Sequence, residues 1–223
     1  MTAPTALTLP IPDQGPVSAL AIRPPDARAA YVFAHGAGAG MTHAFMAALS
    51  DDLAARGIAT LRYQFPFMEN GSKRTDRPAV ATAAVRAAVA LAQQQFPDLP
   101  LFAGGKSFGG RMTSQAQAAE PLPGVRGLAF VGFPLHPADK PATERADHLS
   151  QVQVPMLFLQ GTRDALADLA LLRGVVQPLG ERATLVVVDD ADHSFHVRAS
   201  SGRNDEQVRH ALADDLARWM TTV

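Results

Sequence analysis

Short continuous runs of Val, Leu, Ile, Ala and Phe alternate along this chain with longer stretches in which apolar residues recur at helical spacing. The runs Val17 to Ile22, Ala30 to Ala34, Ile58 to Arg62, Leu101 to Ala103, Leu128 to Val131, Met156 to Leu159 and Thr184 to Val188 read as strands. Leu7 to Leu9 is a further short strand before them. Most of these runs do not alternate with polar residues, as expected of strands covered on both faces. Helices are expected from Thr42 or His43 to Ala55, from Pro78 to about Gln95, from Arg111 to Ala119, around Leu166 to Gln177, and from Asn204 to about Met220. Arg56-Gly57 stops the first of these, and Pro78 suits the first turn of the second. Gln64 to Arg77 reads as a polar loop, and Pro134 to Leu149 as an excursion with one short helix. Strand and helix in alternation imply βαβ units. The expected architecture is α/β: one domain over residues 1–223, a mostly parallel sheet with helices on both faces and no large cap domain.

Size and charge narrow the function classes. A chain of 223 residues can build one substantial core. Twenty basic residues face 21 acidic ones, which argues against a nucleic-acid surface or a polybasic membrane patch. Without cysteine, disulfides, thiolate catalysis and cysteine-ligated zinc are excluded. Pro4, Pro10, Pro12 and Pro16 break up the N-terminal stretch, no run is apolar for long enough to span a bilayer, and the expected compartment is the cytoplasm. A small-molecule substrate is the expected partner, with no cofactor and no metal.

The candidate chemistry starts at Gly105-Lys106-Ser107-Phe108-Gly109. This G-x-S-x-G sequence follows a short apolar run and opens a helix, the context of a nucleophile elbow, where a tight turn lifts a serine above the sheet edge. Gly105-Lys106-Ser107 also matches the end of a phosphate-binding loop, but that motif needs glycine where the chain has Pro100. Serine needs a base, and the base needs an oriented partner, in the order Ser, Asp or Glu, His after successive strands. Asp164 follows the strand Met156 to Leu159, with helix capping as its plain structural role and Asp168 as the substitute. His193 follows Thr184 to Val188, with His196 its rival and Asp189, Asp190 and Asp192 crowding the choice of acid. The oxyanion donors expected are the backbone N–H groups of Phe108 and of Ala37, with Gly38 close behind, in His35-Gly36-Ala37-Gly38-Ala39-Gly40. His35 is expected to shape that loop through hydrogen bonds. Phe65, Phe67, Met68 and Phe133 follow strand ends and are the candidates to line an acyl site, or else they close the core. Lys73, Arg74, Arg77 and Arg111 are candidates to favour an anionic substrate; the alternative is a solvated charge run for the first three and a brace between neighbouring loops for Arg111.

His35-Gly36-Ala37-Gly38, Gly105 to Arg111, Gly161-Thr162-Arg163-Asp164 and Asp192-His193-Ser194-Phe195 together resemble the small α/β-hydrolases of the dienelactone-hydrolase-like class. With Phe65-Pro66-Phe67-Met68-Glu69, they resemble most the lidless subgroup related to the NSL-complex subunit and the testis-expressed hydrolase-like proteins. The resemblance implies a catalytic triad of Ser107, Asp164 and His193. Dienelactone hydrolases proper use cysteine, which this chain lacks. Two readings follow: a serine hydrolase of small esters or thioesters, or a hydrolase-like binding or scaffold protein with little turnover.

Overall fold

A computed structural model describes residues 2–223. Eight strands form one sheet: β1 (Thr5–Ile11), β2 (Gly15–Ile22), β3 (Ala29–Ala34), β4 (Ile58–Tyr63), β5 (Leu101–Lys106), β6 (Val125–Val131), β7 (Met156–Gly161) and β8 (Ala183–Val188). Their spatial order is β1-β2-β4-β3-β5-β6-β7-β8. The first two pairings, β1 with β2 and β2 with β4, are antiparallel, and every later pairing is parallel. Among the described residues, six α-helices accompany the sheet: α1 (Ala44–Ala54), α2 (Pro66–Glu69), α3 (Pro78–Gln95), α4 (Phe108–Ala119), α5 (Leu169–Val176) and α6 (Asp205–Thr222). Among the described residues, no helix is long and apolar enough to cross a membrane.

The continuous apolar runs divide by parity between two cores, because successive strand side chains point to opposite faces. Ala30, Val32 and Ala34 of β3 join Leu128, Phe130 and Phe158 in a cluster under α3, α4 and α5. Tyr31 and Phe33 join Phe102, Leu157 and Leu159 on the other face, under Leu49 and Leu53 of α1 and Leu212, Leu216 and Trp219 of α6. The alanines of α3 at positions 81, 84, 88 and 92 are fully buried, so this helix packs closely on the sheet.

Several boundaries differ from the sequence expectation for identifiable reasons. β1 runs on to Ile11 although Pro10 lies within it. As an edge strand, it can hold a proline on the side that has no ladder partner. The segment expected to be wholly loop contains α2, whose first residue is Pro66, a position where the missing N–H costs nothing. α4 begins at Phe108, immediately after the serine, rather than at Arg111. α5 begins only at Leu169, because the Asp168 carboxylate accepts the Leu171 N–H at 2.9 Å and caps it there. His43 caps α1, its Nδ1 accepting the Phe45 N–H at 3.3 Å. The excursion after β6 carries one 3-10 stretch, Glu144–Gln151, packed on α4 and too short to form a cap domain.

Candidate active site

Parallel pairing of β3, β5, β6, β7 and β8 carries their C-terminal ends to one edge of the sheet, where open α/β sheets place their sites. Ser107 sits between β5 and α4 with φ 51° and ψ −119°, a conformation that L-residues other than glycine seldom adopt. The turn is tight enough to require both flanking glycines. A Cβ on Gly105 would lie 2.5 Å from the Ala34 carbonyl oxygen, and one on Gly109 would lie 2.5 Å from that of His35.

The three residues expected from chain order meet here. His193 Nε2 is 2.8 Å from Ser107 Oγ, and His193 Nδ1 is 2.7 Å from Asp164 Oδ2. The Asp164 side chain is fully buried, whereas His193 keeps about a quarter of its surface, 23%, exposed. A buried carboxylate needs its lone pairs filled. Asp164 Oδ1 accepts the Leu166 N–H at 2.8 Å, and Oδ2 accepts the Gln160 amide as well as the imidazole. Gln160 also accepts the Phe133 N–H at 2.9 Å, so one buried amide ties the ends of β6 and β7 to the acid. Sequence reasoning overlooked Gln160. Its signal was a polar residue at the end of the otherwise apolar run Met156 to Leu159.

The rivals stand outside this chain of hydrogen bonds. Asp168 caps α5. Asp192 Oδ1 accepts the N–H groups of Ser194 and His196 at 2.8 and 3.0 Å, bending the loop that carries His193. The Asp189 and Asp190 carboxylates make no hydrogen bond to His193, whose Nδ1 is taken by Asp164. His196 is exposed and pairs with Asp205 at 2.8 Å, which raises its pKa.

Among the described residues, the N–H groups of Ala37 and Phe108 make no hydrogen bond, and Ala37 lines the cleft above Ser107. The loop behind Ala37 is fixed from beneath. His35 is fully buried; its Nε2 accepts the Phe65 N–H at 3.0 Å, which leaves the proton on Nδ1 to donate to the Gly36 carbonyl at 2.7 Å. Burial pushes the His35 pKa down to about 4, so the ring is neutral near pH 7. Further along, Met41 donates its N–H to Gln64 and accepts from Arg62 Nη1 at 2.9 Å.

A cleft of about 370 Å³ opens over the serine. Gly36 to Ala39, His43, Phe45, Met46, Lys106, Leu166, His193 and Ser194 line it. The aromatic residues expected to line an acyl site lie elsewhere. Phe65, Phe67 and Phe133 are buried in the core, the first two packed edge-on against Phe108. Met68 is half-buried against the same cluster. Chain position put these side chains near a strand end, but packing turned them inward, and Phe45, Met46 and Leu166 supply the apolar wall instead. Lys73, Arg74 and Arg77 are exposed and do not line the cleft, and neither does Arg111, which lies beside Arg145 on the 3-10 stretch.

Comparison with known proteins agrees with the architecture. The structure superimposes on a lidless α/β serine hydrolase from Xanthomonas campestris with a TM-score of 0.76 and 24% identity, over 100% of this chain and 98% of that one. A dienelactone hydrolase from Anabaena variabilis gives a TM-score of 0.78 at 19% identity, over 98% of this chain and 96% of that one. An α/β serine hydrolase homologue from Coxiella burnetii gives 0.74 at 18%, over 99% and 97%. At these identities the likeness is one of fold. The sequence profile of the alpha/beta hydrolase domain matches residues 27–221, and the chain belongs to that family.

Proposed function

We propose that this hydrolase cleaves small carboxylic esters or thioesters through a covalent acyl-enzyme. The reading is carried by the unbroken chain from Ser107 Oγ through the His193 imidazole to the buried Asp164 carboxylate. His193 Nε2 takes the hydroxyl proton as Ser107 Oγ attacks the acyl carbon. Asp164 holds the proton on Nδ1, which leaves Nε2 free to accept, and it stabilises the imidazolium that forms. The tetrahedral oxyanion is stabilised by the N–H groups of Ala37 and Phe108, which have no other partner among the described residues. His193 then protonates the leaving alkoxide or thiolate. Water, deprotonated by the same imidazole, attacks the acyl-Ser107 ester and releases the carboxylic acid.

The open cleft favours compact substrates. Turnover of p-nitrophenyl acetate, p-nitrophenyl butyrate and acetyl thioesters tests the reading. Saturable hydrolysis of any of them supports it. Absence of turnover on all of them, together with no phosphonylation by a fluorophosphonate, contradicts it.

A further inference from the structure

The backbone of His193 makes a single hydrogen bond among the described residues, and its donor is Lys106 Nζ, which reaches the His193 carbonyl from the position next to Ser107. We propose that Lys106 is a positioning residue for the base: its ammonium ties the His193 loop to the end of β5, so that one imidazole faces Ser107 and Asp164 together. The inference rests on the triad assigned above.

Several observations carry it. Asp192 bends the loop from within, through the N–H groups of residues 194 and 196, and the Arg163 N–H ties Ala191 to the end of β7, but none of these bonds links the loop to β5. The Lys106 bond supplies that link across 87 residues of sequence, from the strand end that also carries the nucleophile. The surroundings hold the ammonium in place: Nζ lies 5.1 Å from the Phe195 ring centre and 5.7 Å from that of Phe45, two rings stacked 6.2 Å apart. Such ring faces attract a cation. Finally, Gly132, at φ 72°, leaves room where a Cβ would come within 3.3 Å of Nζ and 3.6 Å of His193 Cε1. Among the described residues, Lys106 has no carboxylate within ion-pair distance, so its strongest polar contact is the His193 carbonyl.

The charge has a consequence for pH. Burial lowers the Lys106 pKa to about 8, against the opposing pull of Asp164 and Asp192. The other titratable groups facing it are His193, from the loop after β8, and His43, across the cleft at the start of α1. Above about pH 8 the ammonium loses its charge, and a charge-assisted bond becomes an ordinary weak one. An alkaline decline in kcat is therefore expected that belongs to Lys106 and not to the triad.

The test compares wild type, Lys106→Met and Lys106→Arg on neutral p-nitrophenyl acetate and on anionic p-nitrophenyl hemisuccinate, from about pH 5 to pH 10, with circular dichroism to verify folding. A misplacement of the base by about 1 Å is expected to lower kcat of Lys106→Met about a hundredfold on both esters, with KM nearly unchanged. Lys106→Arg should recover much of kcat and move the alkaline decline out of range, because guanidinium does not titrate there. Wild-type kcat in a folded Lys106→Met overturns the proposal. A loss confined to the anionic ester also overturns it, by making Lys106 a substrate contact. If Lys106→Met fails to fold, an unmoved alkaline limb in Lys106→Arg overturns it instead. Phosphonylation of wild-type Ser107 separates the two readings: a labelled wild type with an indifferent Lys106 refutes only this inference, and an unlabelled one refutes the triad itself.

Discussion

The imidazole of His35 joins two strand ends: Nε2 accepts the Phe65 N–H at 3.0 Å after β4, while Nδ1 donates to Gly36 after β3. The Phe65 bond needs the neutral ring, because protonating Nε2 removes its acceptor, whereas the Gly36 bond survives protonation and opposes the shift that burial causes. The His35 pKa is lowered from 6.5 to about 4 by burial, so below pH 6.5 the unfolded chain binds the proton that the folded one refuses. The stabilisation from this group is whole above about pH 6.5 and falls as pH drops towards 4, by up to about 3 kcal/mol. His148, also lowered to about 4, acts in the same direction. Urea denaturation between pH 7 and pH 4 checks it. His35→Gln should flatten the decline, and an unchanged slope in that variant would contradict the role given to His35.

Asp164→Asn should leave the fold nearly intact and lower kcat by about ten-thousandfold, as loss of the orienting carboxylate does in serine proteases. Asp168→Ala should behave oppositely, losing about 1 kcal/mol of stability with the helix cap and little activity. Stopped-flow or steady-state kinetics on a p-nitrophenyl ester, together with a melting curve, separates the two. The reverse pattern would mean that the wrong carboxylate had been assigned.

Gly109→Ala should be severely destabilising. Its Cβ would meet backbone atoms of His35 and Ala34 at 2.5 and 2.7 Å, and backbone cannot swing aside as a side-chain tip can. A loss above about 2 kcal/mol is expected, typical of overpacking at a rigid site. Denaturant midpoints measure it, and a variant of wild-type stability would mean that the elbow is looser than described.

The reach of the sequence differed between elements. The parallel strands were legible because continuous apolar runs have few other uses, and chain order then placed Ser107, Asp164 and His193 past the ends of β5, β7 and β8. β1 was underestimated because Pro10 reads as a terminator, although an edge strand tolerates it. The cleft wall was not legible. Phe65, Phe67 and Phe133 stand at strand ends, but a strand-end position does not say which way a ring turns, and contacts with His35 and Phe108 draw the first two inward. Gln160 and Lys106 carried only the faint signal of polar side chains at the ends of apolar strands.

Because Phe45, Met46 and Leu166 form a short apolar wall in an open cleft of about 370 Å³, added methylenes on the acyl chain soon reach water. Each would contribute about 0.8 kcal/mol if fully buried. The kcat/KM values along a p-nitrophenyl ester series should be highest between acetate and butyrate and decline beyond. A steady rise through octanoate would contradict the cleft described.

The most direct measurement of the central claim is fluorophosphonate labelling of wild type and Ser107→Ala, with peptide mass mapping of the adduct. A Ser107 nucleophile predicts stoichiometric phosphonylation of that residue in the wild type, and a folded Ser107→Ala protein that is neither labelled nor active on p-nitrophenyl acetate. Undiminished labelling or turnover in Ser107→Ala, or an adduct mapped to a different residue, would contradict it.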